Sequence, residues 1–287
     1  MAQPALTIAS LIKDPALRTS CGQWLREAHH ELFDLGEMAD PGAALESRWE
    51  QFDAVLLEQG LLDRDALQRL CSKGLVLPTV ILGPITGQLD FHAAEVHLAQ
   101  DQLEQLSYSV DAAISRFLRR DQNNDQADPD ADQSAAPWNF SDRLKKRLGY
   151  TGLLYKRDPS RFLRNLPKQE REILLQSLER TYRDLLISYF RDPAAANQAL
   201  DSFVNTVYFS DLSVTKTVEI HMNLIDEFWT LLKLKGHKND FLRDYRLALM
   251  DVLANLCEMY RRSLPSESLH TNSLRSARIA SVAGEIG

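Results

Sequence analysis

Three cysteines, Cys21, Cys71 and Cys257, are too few and too far apart for a disulfide framework. They fit reduced thiols filling space in a cytoplasmic protein, and the CxxC and Cys/His spacings of a zinc site are missing. No apolar run reaches membrane-spanning length, so insertion by a helix is not expected, and the first residues lack the build of a signal peptide. Positive charge is in deficit as well. Against 40 Asp and Glu there are 33 Lys and Arg, a net charge of −7, which argues against nucleic-acid binding as the main function. What remains is 287 residues that are 44% hydrophobic and 25% charged, an ordinary soluble composition at a length that suggests two domains.

The first part alternates strand-like and helix-like pieces. Residues 5–12 read as a buried strand, after which Asp14 can cap a helix with Pro15 at its first position. A weak second strand covers 31–35 and a clear third covers 52–57. A helix through Ala66, Leu67, Leu70 and Cys71 ends at Gly74, followed by a fourth strand over 75–82. The alternation weakens after Gly83 and resumes at 94–98, before a long amphipathic helix using Leu103, Leu106, Val110, Ile114, Phe117 and Leu118. This rhythm implies a parallel sheet with helices on both faces, a receiver-like (flavodoxin-like) α/β domain. Residues 121–136 turn to Asp, Asn, Gln, Ala and Pro, too polar to offset their ordering entropy, and read as a linker.

From Trp138 onward the pattern is helical. One helix starts at Pro167 and buries Leu174, Leu178, Leu185 and Phe190; Asp192-Pro193 breaks it. A shorter helix spans 199–209, Ser213 caps the next, Gly236 ends that one, and Asp240 begins the last. The final two carry apolar stripes at steps of three and four: Val218, Met222, Ile225, Trp229 and Leu232, then Leu242, Tyr245, Leu249, Val252, Leu256 and Met259. Such stripes suit a helical bundle core or a helix-to-helix interface, with Val218, Met222, Ile225, Trp229, Leu249, Val252 and Leu256 as its expected residues. Beside the second stripe, Asp251, Asn255, Glu258 and Arg262 share one face, which is either solvated or the rim of a groove.

No catalytic constellation assembles. A phosphorylatable receiver needs an Asp at the end of its third strand, a hydroxyl after the fourth and a Lys after the fifth. The chain offers Glu58, Gly83 and His97-Leu98-Ala99-Gln100, with Lys13 near the metal site although Asp14 follows. Phosphotransfer through His221 lacks the Lys three residues on, where Leu224 stands, and Met222 replaces the acid that follows a kinase histidine. His92, Glu95 and His97 have spacing unsuited to one helical face and are expected to be structural, so no metal is assigned. Gly83, Pro84 and Gly87 make no phosphate-cradling loop.

Several ordered blocks carry a specific resemblance. They are Leu148-Gly149-Tyr150, Tyr155-Lys156-Arg157-Asp158-Pro159 and Arg161-Phe162-Leu163-Arg164-Asn165-Leu166-Pro167, then Val218-Glu219-Ile220-His221-Met222, Asp226-Glu227-Phe228, Asp244-Tyr245-Arg246-Leu247 and Leu256-Cys257-Glu258-Met259-Tyr260-Arg261-Arg262-Ser263. Over residues 144–265 they resemble the KaiA family of circadian clock proteins. The likeness is looser before that and tightens at Ala94-Glu95-Val96-His97-Leu98, Gln102-Leu103-Glu104-Gln105-Leu106 and Val110-Asp111-Ala112-Ala113.

The resemblance implies a pseudo-receiver without phosphoacceptor over 1–121, a linker with a connecting helix over 122–152, and a dimerising four-helix bundle over 153–265. Residues 266–287 form a Ser-rich extension outside the match, expected to be disordered. It further implies a non-enzymatic homodimer that captures a C-terminal segment of the kinase KaiC and promotes KaiC autophosphorylation, with KaiB counteracting it. No cofactor is required, while the family's pseudo-receiver is associated with sensing oxidised quinones. Asp251, Asn255, Glu258 and Arg262 become the expected rim for the KaiC tail. Two positions depart from the family pattern: Asn255 stands where a His is usual and Asn223 where a Glu is usual. Asparagine still donates and accepts hydrogen bonds but carries no proton charge.

Overall fold

A computed structural model describes residues 5–125, 157–234 and 244–263. Five strands, β1 (Thr7–Leu11), β2 (Glu31–Asp34), β3 (Ala54–Glu58), β4 (Thr79–Leu82) and β5 (Val96–Leu98), form one parallel sheet in the order β2-β1-β3-β4-β5. The central strands are buried on both faces, which is why they read as continuous apolar runs instead of alternating. Helices α1 (Pro15–Glu27), α2 (Pro41–Arg48), α3 (Arg64–Ser72) and α4 (Leu106–Asp125) accompany the sheet. Aspartates start the first three: Asp14, Asp40 and Asp63 accept from the amides of Ala16, Ala43 and Ala66 at 2.8, 2.9 and 2.7 Å.

Two expectations shift in this half. Residues 75–78 are not strand: the chain leaves α3 through a turn in which the Leu75 amide returns to the Leu70 carbonyl, and Pro78 has no N–H to offer a ladder. The polar stretch at 121 does not stop α4, which continues to Asp125, because adding residues to an existing helix is easier than starting one. The rest of the expected linker lies outside the described residues. No helix joins β4 to β5; instead a helix from the C-terminal part packs against β5 and α4.

That part contains α5 (Lys168–Ser188), α6 (Pro193–Phe209), α7 (Val214–Leu234) and α8 (Arg246–Arg262). Helix α6 begins six residues earlier than expected, since Asp192 caps it onto Ala195 at 3.1 Å and the alanines favour helix. Ser213 lies just before α7 and its hydroxyl accepts from the Lys216 amide at 3.2 Å, as a cap should. The expected stop at Gly236, the start at Asp240 and Leu242 lie outside the described residues. The core between α5, α6 and α7 centres on Tyr182, edge-on to Phe203 with ring centroids 4.7 Å apart. Phe190 does not join it. Lying beyond the end of α5, it leaves the helical stripe and stands 52% exposed against Tyr189 and Tyr245.

The halves meet through a polar joint. Gln105, fully buried, donates its amide to the Ser177 and Thr181 hydroxyls at 2.9 and 2.7 Å and accepts from Thr206 at 2.7 Å. Gln102 bridges Thr181 and Asp184, and Arg116 pairs with Asp201. The loop after β4 exchanges two bonds with Gln198, through the Gly87 amide and the Gln88 carbonyl, both at 2.7 Å. Gly87 has φ +76°, and a Cβ there would stand 2.4 Å from that of Ala194, so this approach requires glycine.

Candidate functional site

The receiver pocket is filled from within. Glu58, at the end of β3, accepts from the backbone amides of Lys13 and Asp14 at 2.7 and 3.1 Å, tying β3 to the start of α1. Beside Gly83, where a receiver carries its hydroxyl, a Cβ would lie 2.6 Å from that of Gln59, whose side chain occupies the space and donates to Asp90 at 3.0 Å. The positions are those the sequence indicated, but the groups serve as internal staples.

His92, Glu95 and His97 are all buried. The His92 ring contacts the Leu77 carbonyl and Thr79 hydroxyl at 3.0 and 3.1 Å. Glu95 accepts the amides of Asp90, Phe91 and His92 at 2.8, 2.7 and 3.0 Å, and His97 Nε2 at 2.8 Å. Burial works to raise the Glu95 carboxyl, but the His97 bond and the three amides outweigh it and hold the group below its ordinary range. Asp90, Glu95 and His97 do approach within 4.8 Å of one another. An ion there would compete for carboxylate oxygens that already hold the turn, so the cluster is accounted for structurally. His221 is buried too, its Nδ1 3.0 Å from the Tyr182 hydroxyl, and burial lowers its pKa.

Helices α7 and α8 leave a different kind of site. Among the described residues of α7, the buried ones are Thr217, Ile220, His221 and Leu224; the Leu232 side chain lies outside the described ones. The stripe expected to be core lies roughly a quarter-turn round the helix from them. Val218 and Ile225 are half-buried, whereas Met222 and Trp229 are 51% and 44% exposed, so these two are outside the chain's own core. Helix α7 is thus apolar over two adjoining faces, and among the described residues only one is buried. On α8, Val252 and Leu256 are buried and Leu249 is half-buried.

The polar residues of α8 are on its open side, as their spacing required. Tyr189 donates to Asp251, the Asn255 amide donates back to the Asp251 carbonyl at 2.9 Å, and Glu258 is gripped by Arg261 at 2.6 Å and by Arg262. The Arg261 hydrogen bond leads the effects that hold the Glu258 carboxyl down to about 2. Arg262 is therefore a tethered cation rather than a free one. Sequence reasoning missed the exposed Leu247 and Met250 on α8, although with Ala254 and Cys257 they repeat at steps of three, four and three. It also missed Gln59 and Gln105, whose roles depend on where distant segments meet.

Two family models cover most of the chain: "Circadian clock protein KaiA, N-terminal domain" over residues 6–121 and "KaiA C-terminal domain" over residues 146–267. The chain belongs to the KaiA family. The KaiA clock oscillator protein of Parasynechococcus marenigrum is 54% identical over 273 residues, covering 93% of this chain and 92% of that relative. The KaiA of Synechococcus elongatus is 40% identical over 283 residues, covering 92% and 99%. The solved C-terminal domain of Thermosynechococcus elongatus KaiA is 47% identical, covers 35% of this chain and 93% of its own, and superposes with a TM-score of 0.32. Among the described residues no helix is long and apolar enough to cross a membrane.

Proposed function

We propose that this KaiA-family protein is a non-enzymatic clock regulator that binds the C-terminal segment of KaiC as a homodimer and stimulates KaiC autophosphorylation. The observation that supports the reading is the apolar face of α7 and α8 inside the family's C-terminal domain, where among the described residues Met222, Trp229, Leu247 and Met250 are each 44% or more exposed. One part of such a surface suits a second copy of the chain. The rim of Asp251, Asn255, Glu258 and Arg262 suits the KaiC tail. Binding that favours one tail conformation shifts KaiC's population without touching phosphate, and the shift is bounded by the difference in affinity for the two states. KaiB, assembled on KaiC, counteracts the activation. The pseudo-receiver is the input module, with an oxidised quinone as its ligand at a site left unassigned. The protein works in the cytoplasm, without nucleic acid or membrane insertion.

Mixing the full chain with KaiC and ATP tests this. KaiC phosphorylation rises if the reading is right; intact binding with no rise rejects it. A stable phosphate on Glu58 or His221 after incubation with a phosphodonor and Mg²⁺ would replace it with a phosphorelay. Asn255→Ala and Glu258→Ala weaken KaiC-tail binding if they line the groove, and unchanged binding in both returns that face to solvent.

A further inference from the structure

Where the chain enters the helical half, three aromatic rings surround one guanidinium. Arg157 opens the second described stretch of the chain. Its guanidinium carbon stands 5.3, 4.9 and 5.5 Å from the ring centroids of Phe162, Tyr208 and Tyr260. The rings come from separate places: Phe162 from the segment before α5, Tyr208 from the last turn of α6, and Tyr260 from the last turn of α8. Tyr208 and Tyr260 also meet edge-on, with centroids 5.1 Å apart. Phe162 and Tyr208 are buried and Arg157 is half-buried, so the cation is partly shielded from water and its attraction to the rings is strengthened. Burial raises the pKa of the Tyr260 phenol, and the Arg157 cation opposes that rise.

A carboxylate completes the enclosure. Arg157 donates to Asp211 at 2.8 Å, and Arg164 donates to the other oxygen of the same group. Asp211 follows the cap of α6 with φ +56°, a place where glycine is the usual residue. An aspartate there sets between the two guanidiniums a carboxylate that glycine would lack. The Leu163 amide donates to the Ser210 carbonyl at 2.7 Å, tying the entering segment to the same turn. The two cations are not equivalent. The Arg164 side chain is 66% exposed and stands over Phe162, so it holds the entering segment to Asp211 without reaching α8. Arg157 reaches the end of α6, the turn after it and the end of α8 together. Tyr260 faces this cluster, while Glu258 and Arg262, two residues to either side, are carried round to the opposite face of the same turn, where they pair with each other.

We propose that Arg157 is a positioning residue for the α8 rim: its guanidinium, set among Phe162, Tyr208 and Tyr260, fixes the last turn of α8 to the point where the chain enters the helical half. The inference rests on the reading of that rim as the KaiC-tail surface, and amide hydrogen exchange tests the positioning without KaiC. Two measurements on the full chain are needed: exchange over residues 256–263, and titration with a synthetic peptide of the KaiC C-terminal segment. Arg157→Lys keeps the charge but loses the planar group that stacks on rings. It should speed exchange in the last turn of α8 about threefold or more, the scale of one lost ring contact. Peptide binding should weaken about threefold to tenfold, as for a residue that acts through a packed neighbour. Arg157→Ala should do both more strongly. Arg164→Ala removes a cation from the same carboxylate and should match the parent in both measurements. Unchanged exchange over 256–263 in both Arg157 variants, an equal rise in Arg164→Ala, or a rise spread evenly through the sheet half would each overturn the positioning role. Unweakened peptide binding despite faster α8 exchange would overturn it too, by separating the turn from the rim. A parent chain that binds no peptide would reject the KaiC reading instead, and exchange would still decide whether Arg157 holds α8.

Discussion

In the sheet half, Ile8, Leu11, Val55, Leu56 and Ile81 are sealed between helices, whereas α7 and α8 hold out Met222, Trp229, Leu247 and Met250 to solvent. Of the twelve exposed large apolar residues among those described, nine belong to the helical half. A parallel sheet with helices on both faces has somewhere to put every apolar side chain. Helix α6, packed among its neighbours, is buried nearly all round, whereas α7 and α8 lie at the edge of that packing and, among the described residues, bury one face each. The difference is the reason the proposed interaction surface is placed in the helical half.

The most direct way to break that comparison is to truncate one residue of each kind. Leu56→Ala should cost about 2–5 kcal/mol of stability, read by denaturant unfolding, because it opens a cavity in a closed core. Trp229→Ala should leave the unfolding of the single chain within about 0.5 kcal/mol, yet weaken self-association in sedimentation. A large stability loss from Trp229→Ala would mean the two halves are sealed alike.

Acid should act on the sheet half. Burial, aided by Arg161 and His29, lowers the His30 pKa to about 4. Because the unfolded chain then takes the proton first, stability is full above the ordinary histidine value and declines as pH falls towards 4. The loss is about 3 kcal/mol by linkage. His30→Leu should flatten that slope whatever its baseline cost; an unchanged slope would place the acid sensitivity elsewhere.

Gln105→Ala removes the shared partner of Ser177, Thr181 and Thr206. It should cost about 1–3 kcal/mol, with hydrogen exchange rising on both sides of the joint. Exchange rising on one side only would show that the halves are stabilised independently. The smallest effect is expected at Asn255→Ala, whose exposed amide only returns to its own helix, with stability changed by less than about 0.5 kcal/mol. Any effect at that position should show in KaiC-tail binding instead.

The parallel sheet was legible because its strands are buried on both faces and its helices open on Asp-Pro or Asp caps, signals that need no tertiary context. The joint was not. Gln105 looks like any polar residue of an amphipathic turn until Thr206, a hundred residues away in the chain, is placed against it. Periodicity identified the α7 stripe correctly as apolar but not which way it faces, since a repeat fixes residues relative to one another and not to the core. That Asp251, Asn255, Glu258 and Arg262 share one face of α8 follows from the same periodicity, yet the pairing by Tyr189 and Arg261 depended on side-chain reach.

The sequence by itself determined most element types, the presence of Glu58 and Gly83 where a receiver carries Asp and a hydroxyl, and the family. Those follow from local propensity, residue identity and ordered motifs. Only the tertiary structure decided that Gln59 fills the space beside Gly83, that Met222 and Trp229 stay partly exposed, and that Gln105 joins Ser177, Thr181 and Thr206. Each of those turns on which distant surfaces pack together. Packing is set by the summed burial of many side chains, a quantity that no short stretch of sequence contains.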